Sequence, residues 1–381
     1  MICGAVYKFF PELLDLEFFT ADTTENNYPV TLDDLLRLTV QKRGSDLHIV
    51  VGMPPCIRID GDIQKQDYPV MSAKNVEALL SAILSPKNKH DLEENLELDI
   101  SYSVPNCARF RGNVIIQRST MAAVFRAIPF SIPELGDLGL PADVRRLCTL
   151  PRGLILVTGP TGSGKSTTLA AMLNYINANY EYNIVTIEDP IEFLHSHKRS
   201  IVRQRELGTD TLSFNNALRT VLRHDPDVIM IGEMRDAESI QIALTAAETG
   251  HLVLSTLHTQ TAPLTISRII DSFPSSQQNQ VRNQLSNTLK AVISQQLLPC
   301  IGGGRVLAAE YMVDSPAIRS LIREGKDHQL YGTMQTAQKE GMRTMDQSLL
   351  KLLRDQRISR ETVLENCVER AEILRQIQFY G

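Results

Sequence analysis

The run Gly159-Pro160-Thr161-Gly162-Ser163-Gly164-Lys165-Ser166-Thr167 follows directly on the apolar stretch 154–157, and it constrains this chain more than any other feature. It satisfies the pattern G-x-x-x-x-G-K-[ST]. Its glycines let the backbone wrap closely, so that successive N–H groups and the positive end of a following helix face a phosphate chain. Lys165 is then expected to reach the β and γ oxygens, and Ser166 to hold Mg²⁺. The alternative is a chance glycine-rich turn, against which strand, spacing, lysine and hydroxyl all coincide. A strand, loop and helix in this order belong to an α/β domain.

The surrounding pattern agrees. Apolar runs at 154–157, 184–187, 228–231 and 252–254 alternate with helical segments, as in a mostly parallel sheet buried on both faces. Residues 276–298 carry Val281, Leu285, Leu289, Val292 and Ile293 at helical spacing and are expected to form one helix ended by Pro299. The tail from Ala317 reads as largely charged helix. Upstream, Thr31 is an expected N-cap, Leu47, Ile49 and Val51 alternate as a strand, Ile57-Arg58-Ile59 opens a hairpin, and Ser72 caps a second helix. Prolines and glycines punctuate the stretch after Ile128 as a linker with fixed bends would. The expected organisation is an N-terminal extension (1–29), a small α+β domain (30–130), a linker (131–150) and an α/β P-loop domain with a helical C-terminal region (151–381).

Composition narrows the classes. With 381 residues and 43% hydrophobic content the chain can bury two cores. A formal charge of -5 argues against coating nucleic acid, although a local basic groove is compatible with it. Cys3, Cys56, Cys107, Cys148, Cys300 and Cys367 form no C-x-x-C pair, so reduced thiols are expected rather than a disulfide framework or zinc knuckle. No apolar run is long enough to span a membrane. Phe9, Phe10, Phe18 and Phe19 are interleaved with acids, unlike a signal peptide.

Two further strands end in acids. In Ile184-Val185-Thr186-Ile187-Glu188-Asp189-Pro190-Ile191-Glu192, Glu188 is expected to position and polarise attacking water, because phosphoryl transfer depends on placement and electrostatics. Capping of the turn before Pro190 is the alternative. In Asp227-Val228-Ile229-Met230-Ile231-Gly232-Glu233-Met234-Arg235-Asp236, Gly232 stands where an Asp usually serves Mg²⁺. Glu233 is therefore expected to act on the metal through water or to help activate the nucleophile. Asp236 reads equally well as a solvated strand end. His251 and His258 bracket the next strand; they either contact phosphate or an acidic neighbour, or are satisfied core histidines. His258 is counted with the catalytic groups and His251 with the nucleotide-binding ones. In the first domain, Arg109, Arg111 and Arg126 lie on strands, where a guanidinium leaning over nucleotide would stabilise transferring phosphate and where plain solvation is the alternative.

The segments 159–167, 186–193, 232–236 and 249–259 resemble the Walker A, Asp, Walker B and His boxes of the type II/IV secretion ATPases, over about residues 31–359. Ala317-Ile318-Arg319-Ser320-Leu321-Ile322-Arg323-Glu324 is similar to the A-I-R-N-L-I-R-E segment of the PilT family of pilus retraction motors, with Ser320 replacing Asn. The resemblance implies a PAS-like N-terminal domain, a RecA-like P-loop domain, and a homo-hexameric ring with ATP bound between the two domains. It implies ATP hydrolysis with Mg²⁺ to power pilus retraction and twitching motility, with Glu188 as catalytic acid, Glu233 as Walker B acid, and Arg109, Arg111 and Arg126 near phosphate. Implied partners are an inner-membrane pilus platform protein, the pilus base and a paralogous retraction ATPase, with a cytoplasmic location peripheral at the inner membrane; no nucleic acid is expected. Arg268 matches the arginine of an Asp-Arg pair, with Ser267 where the Asp belongs. The rivals are a pilus-extension or type II secretion ATPase, which usually carries a tetracysteine zinc element that Cys300 and Cys367 cannot supply, a DNA translocase, and a non-hydrolysing nucleotide binder.

Overall fold

A computed structural model describes residues 28–59, 61–105, 107–128 and 132–378. Residues 1–27 of the expected extension, with their phenylalanines, and 129–131 of the junction lie outside the described residues. The chain falls into two compact units that divide after Ile128.

In the first unit, Thr31 caps α1 (Leu32–Gln41). Its hydroxyl accepts the Asp34 amide while the Asp34 carboxylate accepts the Thr31 amide, a reciprocal box that satisfies two orphan donors. There follow β1 (Asp46–Ile49), β2 (Cys56–Ile59), β3 (Asp62–Lys65), α2 (Ala73–Ser81) capped by Ser72, α3 (Pro86–Asn95), β4 (Glu97–Val104), β5 (Ala108–Gln117) and β6 (Thr120–Ile128). The six strands pair antiparallel in the order β3-β2-β1-β6-β5-β4. Leu47, Ile57, Phe110 and Phe125 bury one face under α1 and α2 with Leu35, Leu36, Val76 and Leu80. Because side chains alternate along a strand, Arg109 and Arg111 project from the face opposite Phe110.

The second unit is α/β. Its elements are α4 (Val144–Leu147), β7 (Gly153–Thr158), α5 (Lys165–Asn179), β8 (Asn183–Glu188), β9 (Ile201–Glu206), α6 (Phe214–Val221), β10 (Val228–Ile231), α7 (Ala237–Glu248), β11 (Leu252–Leu257), α8 (Ala262–Asp271), α9 (Ser275–Thr288), β12 (Leu289–Pro299), β13 (Arg305–Val313), α10 (Pro316–Arg323), α11 (Leu330–Thr336), α12 (Met345–Arg354), α13 (Arg360–Asn366) and α14 (Arg370–Gln378). The sheet runs β13-β12-β7-β11-β10-β8-β9, parallel at every pairing except β12 with β13. Its central strands are buried on both faces: Leu154 and Leu156 of β7 enter one core, Ile155 and Val157 the other. This accounts for the unbroken apolar runs in the sequence.

The helix expected over 276–298 is a correction. α9 stops at Thr288 and the chain continues as β12. Val281 and Leu285 obey helical spacing against a one-sided core, but from Leu289 onward the chain lies in the sheet beside β7, where Ala291, Val292 and Ile293 are buried regardless of face. A short, wholly apolar run has no period by which a strand could be told from a buried helix.

Candidate active site

The register of the parallel strands fixes which residues meet. Ile187, Ile231 and Ser255 stand side by side across β8, β10 and β11, and Leu257 pairs with Thr158 of β7. The carboxyl ends therefore stop nearly level, and the loops leaving these strands converge on one edge. A cavity of about 630 Å³ lies there, lined by Thr161, Gly162, Gly164, Lys165, Ser166 and Thr167 together with Glu188, Asp189, Glu192, Glu233, Arg235 and His258.

The loop 159–167 bridges β7 and α5. Gly159 has φ +141°, and a Cβ there would fall 2.3 Å from the Gln295 carbonyl oxygen, so only glycine fits. Lys165 opens α5, and its ammonium donates to the carbonyls of Gly159 and Pro160 at 2.9 and 3.0 Å. Burial holds its pKa below the ordinary lysine range, opposed by the charges of Glu233 and Glu192. Pro160 and Ser163 line a smaller cavity of about 280 Å³, with Gln260, Gln296 and residues 365–367.

Glu188 is buried at the end of β8. Burial lifts its carboxyl to about 7, against the pull of hydrogen bonds from the Thr186 hydroxyl at 2.6 Å and the Gln204 amide at 3.0 Å. Gln204 carries no motif and sequence reasoning missed it. It sits on β9 opposite Thr186, donates also to the Phe193 carbonyl at 2.8 Å and accepts the His195 amide at 2.8 Å, which fixes the Glu188 carboxylate from one side. Only the pairing of β8 with β9 brings it there.

Gly232 has a steric reason for departing from the usual acid. Its Cβ would meet the Glu188 Cα and the Ile187 carbonyl oxygen, each at 3.3 Å, both backbone atoms that give little. The next residue, Glu233, carries the carboxylate: it accepts from Arg235 Nε at 3.1 Å, and His258 Nε2 lies 3.2 Å away. Arg235 donates in turn to Asp189 at 3.0 Å, linking the acids at the ends of β8 and β10. That bridge was also missed. Asp236 caps α7, accepting the Ser239 amide at 2.8 Å.

The two histidines part company. His258 comes directly after β11 and faces Glu233, whereas His251 precedes β11, at the opposite edge of the sheet, with its Nδ1 2.9 Å from the Ala246 carbonyl at the end of α7. Its assignment to the nucleotide-binding set is corrected: six strand residues separate it from the cavity, roughly 20 Å. Arg109 and Arg111 lie two apart on β5, and Arg111 pairs with Arg126 of β6, whose Nε donates to Asp46 at 2.8 Å. These three belong to the first unit.

A magnesium ion bound with a triphosphate needs one or two hard oxygen donors from the protein, the rest coming from phosphate and water. The Ser166 hydroxyl and the Glu233 carboxylate line the cavity and fit that demand. Among the described residues no group of three or more His, Cys, Asp or Glu is gathered to hold a metal by itself.

Comparison with known proteins gives this geometry its context. The family model described as type II/IV secretion system protein matches residues 114–303. The chain is 51% identical over 334 residues to the type IV pilus retractation ATPase PilT of Pseudomonas aeruginosa, covering 88% of this chain and 97% of that protein. It is 51% identical over 308 residues to a twitching motility protein of Neisseria gonorrhoeae, covering 81% and 82%. The crystal structure of the pilus retraction motor PilT with bound ADP superposes with a TM-score of 0.86 at 50% identity, over 91% of this chain and 99% of that one. With that identity running through both units, and with the boxes converging on one edge of a RecA-like sheet, this chain belongs to the PilT family of type II/IV secretion ATPases.

Proposed function

We propose that this chain is the subunit of a hexameric motor that hydrolyses ATP to retract type IV pili, working in the cytoplasm at an inner-membrane platform protein of the pilus base. One observation carries the reading: the glycine-rich loop, Glu188 and Glu233 converge on a single cavity in a chain half identical to PilT. Residues 159–167 would cradle the phosphates, with Lys165 exchanging its loop carbonyls for β and γ oxygens. Ser166 and Glu233 would hold Mg²⁺, which supplies charge neutralisation when bound. Glu188, steadied by Thr186 and Gln204, would orient the attacking water, and His258 would hold Glu233 in line. Arg109, Arg111 and Arg126 are candidates for contacts with phosphate. The retraction reading draws further support from the likeness of the segment 317–324 to the PilT family; the segment runs through α10 to its C-cap Glu324, with Ile318 and Ile322 buried and Arg319 half exposed beside Asp314.

Imaging pili on a strain deleted for this chain tests the function. Excess surface fibres that do not shorten are the expected result; bald cells would assign the motor to extension, and fibres that shorten normally would remove the retraction role.

A further inference from the structure

Glu310 lies on β13, wholly buried and outside the nucleotide cavity. A buried carboxylate needs donors. One oxygen accepts the amide of Ala262 at 2.6 Å and the other that of Met345 at 3.2 Å. These are the first residues of α8 and α12, whose opening N–H groups have no partner within their own helices. Yet neither helix lacks a cap: Thr261 accepts the Leu264 amide for α8, and Thr344 forms a reciprocal capping box with Gln347 for α12. Those caps serve the third amide of each helix and leave the buried first amides to Glu310, whose single carboxylate thereby links two helices distant in sequence.

Both ends of that link reach the site. α8 begins four residues after His258, the histidine beside Glu233. On the other side, Asp346 comes next after Met345 and is itself buried; it accepts the amides of Val368 and Glu369 at 2.7 and 2.9 Å. The residues just before these, 365–367, wall the smaller cavity against Pro160, Thr161, Gly162 and Ser163 of the phosphate loop.

We propose that Glu310 is a positioning residue for ATP hydrolysis: it ties the loop after His258, through α12 and Asp346, to the segment beside the phosphate loop, so that the C-terminal helices and the nucleotide site move as one body. Burial raises the Glu310 carboxyl to about 7, the charge of Asp346 adds to this, and the two amides oppose it. Glutamine cannot replace Glu310, because its NH₂ group offers no acceptor to the second helix.

The inference rests on the reading of Glu233 and His258 as site residues, and the test separates the two. Steady-state ATP hydrolysis is measured on the purified full chain, its Glu310→Gln variant and its Glu233→Gln variant. Glu310→Gln should lower kcat about tenfold while KM for ATP stays within about twofold, since a small misplacement of catalytic groups costs rate rather than ground-state binding. An unchanged kcat would overturn the tie; Glu233→Gln turning over at the parental rate would instead overturn the site reading. Amide hydrogen exchange on the parent chain needs no variant. A non-hydrolysable ATP analogue should slow exchange in 345–354 and 366–370 as well as in 159–167, and in Glu310→Gln only the last response should survive. No nucleotide response in 345–354 of the parent would sink the proposal.

Discussion

Glu188 holds its proton unusually well, and the two consequences run in opposite directions with pH. Its carboxyl lies near 7 in the folded chain against 4.5 for a solvated glutamate, mainly through burial. Between those values the folded state binds more protons than the unfolded one, so the contribution of Glu188 to stability falls as pH rises through that window. Catalysis through Glu188 would have the other sign, because a carboxyl group can orient attacking water as a base only when ionised. With Glu188 in that role, kcat/KM should rise with pH and level off above about 7. Gln204→Ala removes a donor to the ionised form, so its inflection should move to more alkaline pH. An inflection that stays put would mean another group sets the profile. Glu188 and Glu233 were legible in sequence because each lies at the end of an apolar strand; Gln204 was not, because its neighbours along the chain say nothing of Glu188 and only the edge pairing of β9 joins them.

At the scale of elements, strand order does most of the positioning. The phosphate loop is gripped between its own strand and β12: Thr158 donates to Ser294 at 2.9 Å, the Gln295 amide donates to Thr168 at 2.7 Å, and the Gln295 carbonyl sits against Gly159. Gly159→Ala should therefore deform the loop itself. Both the positive φ and the 2.3 Å approach oppose a methyl group there. Nucleotide affinity, measured by titration calorimetry, should drop at least tenfold while the melting temperature moves by a few degrees only; unchanged affinity would mean the loop tolerates the shift. The local motif was readable because loop, strand and helix are contiguous. The partner that holds it was misread as a helix, since its run Ala291-Val292-Ile293 is buried on both faces and carries no alternation. His251 failed for a related reason: spacing along the sequence cannot say to which edge of the sheet a residue belongs, and a strand's direction decides it.

For the whole molecule, the fold expectation of an α+β unit preceding a RecA-like unit with a mostly parallel sheet agrees with the architecture and with the superposed retraction motor. Glu310 was invisible from the sequence because its partners, Ala262 and Met345, come together only when β13, α8 and α12 pack. With Glu188 in its proposed role, a chemical step at this carboxylate would drive movement of a fibre, and the most direct measurement observes both ends at once. In cells whose own copy carries Glu188→Gln, labelled pili should extend and then fail to shorten, while parental cells retract theirs. Shortening at the parental rate in the variant would contradict the claim that hydrolysis guided by this carboxylate drives retraction.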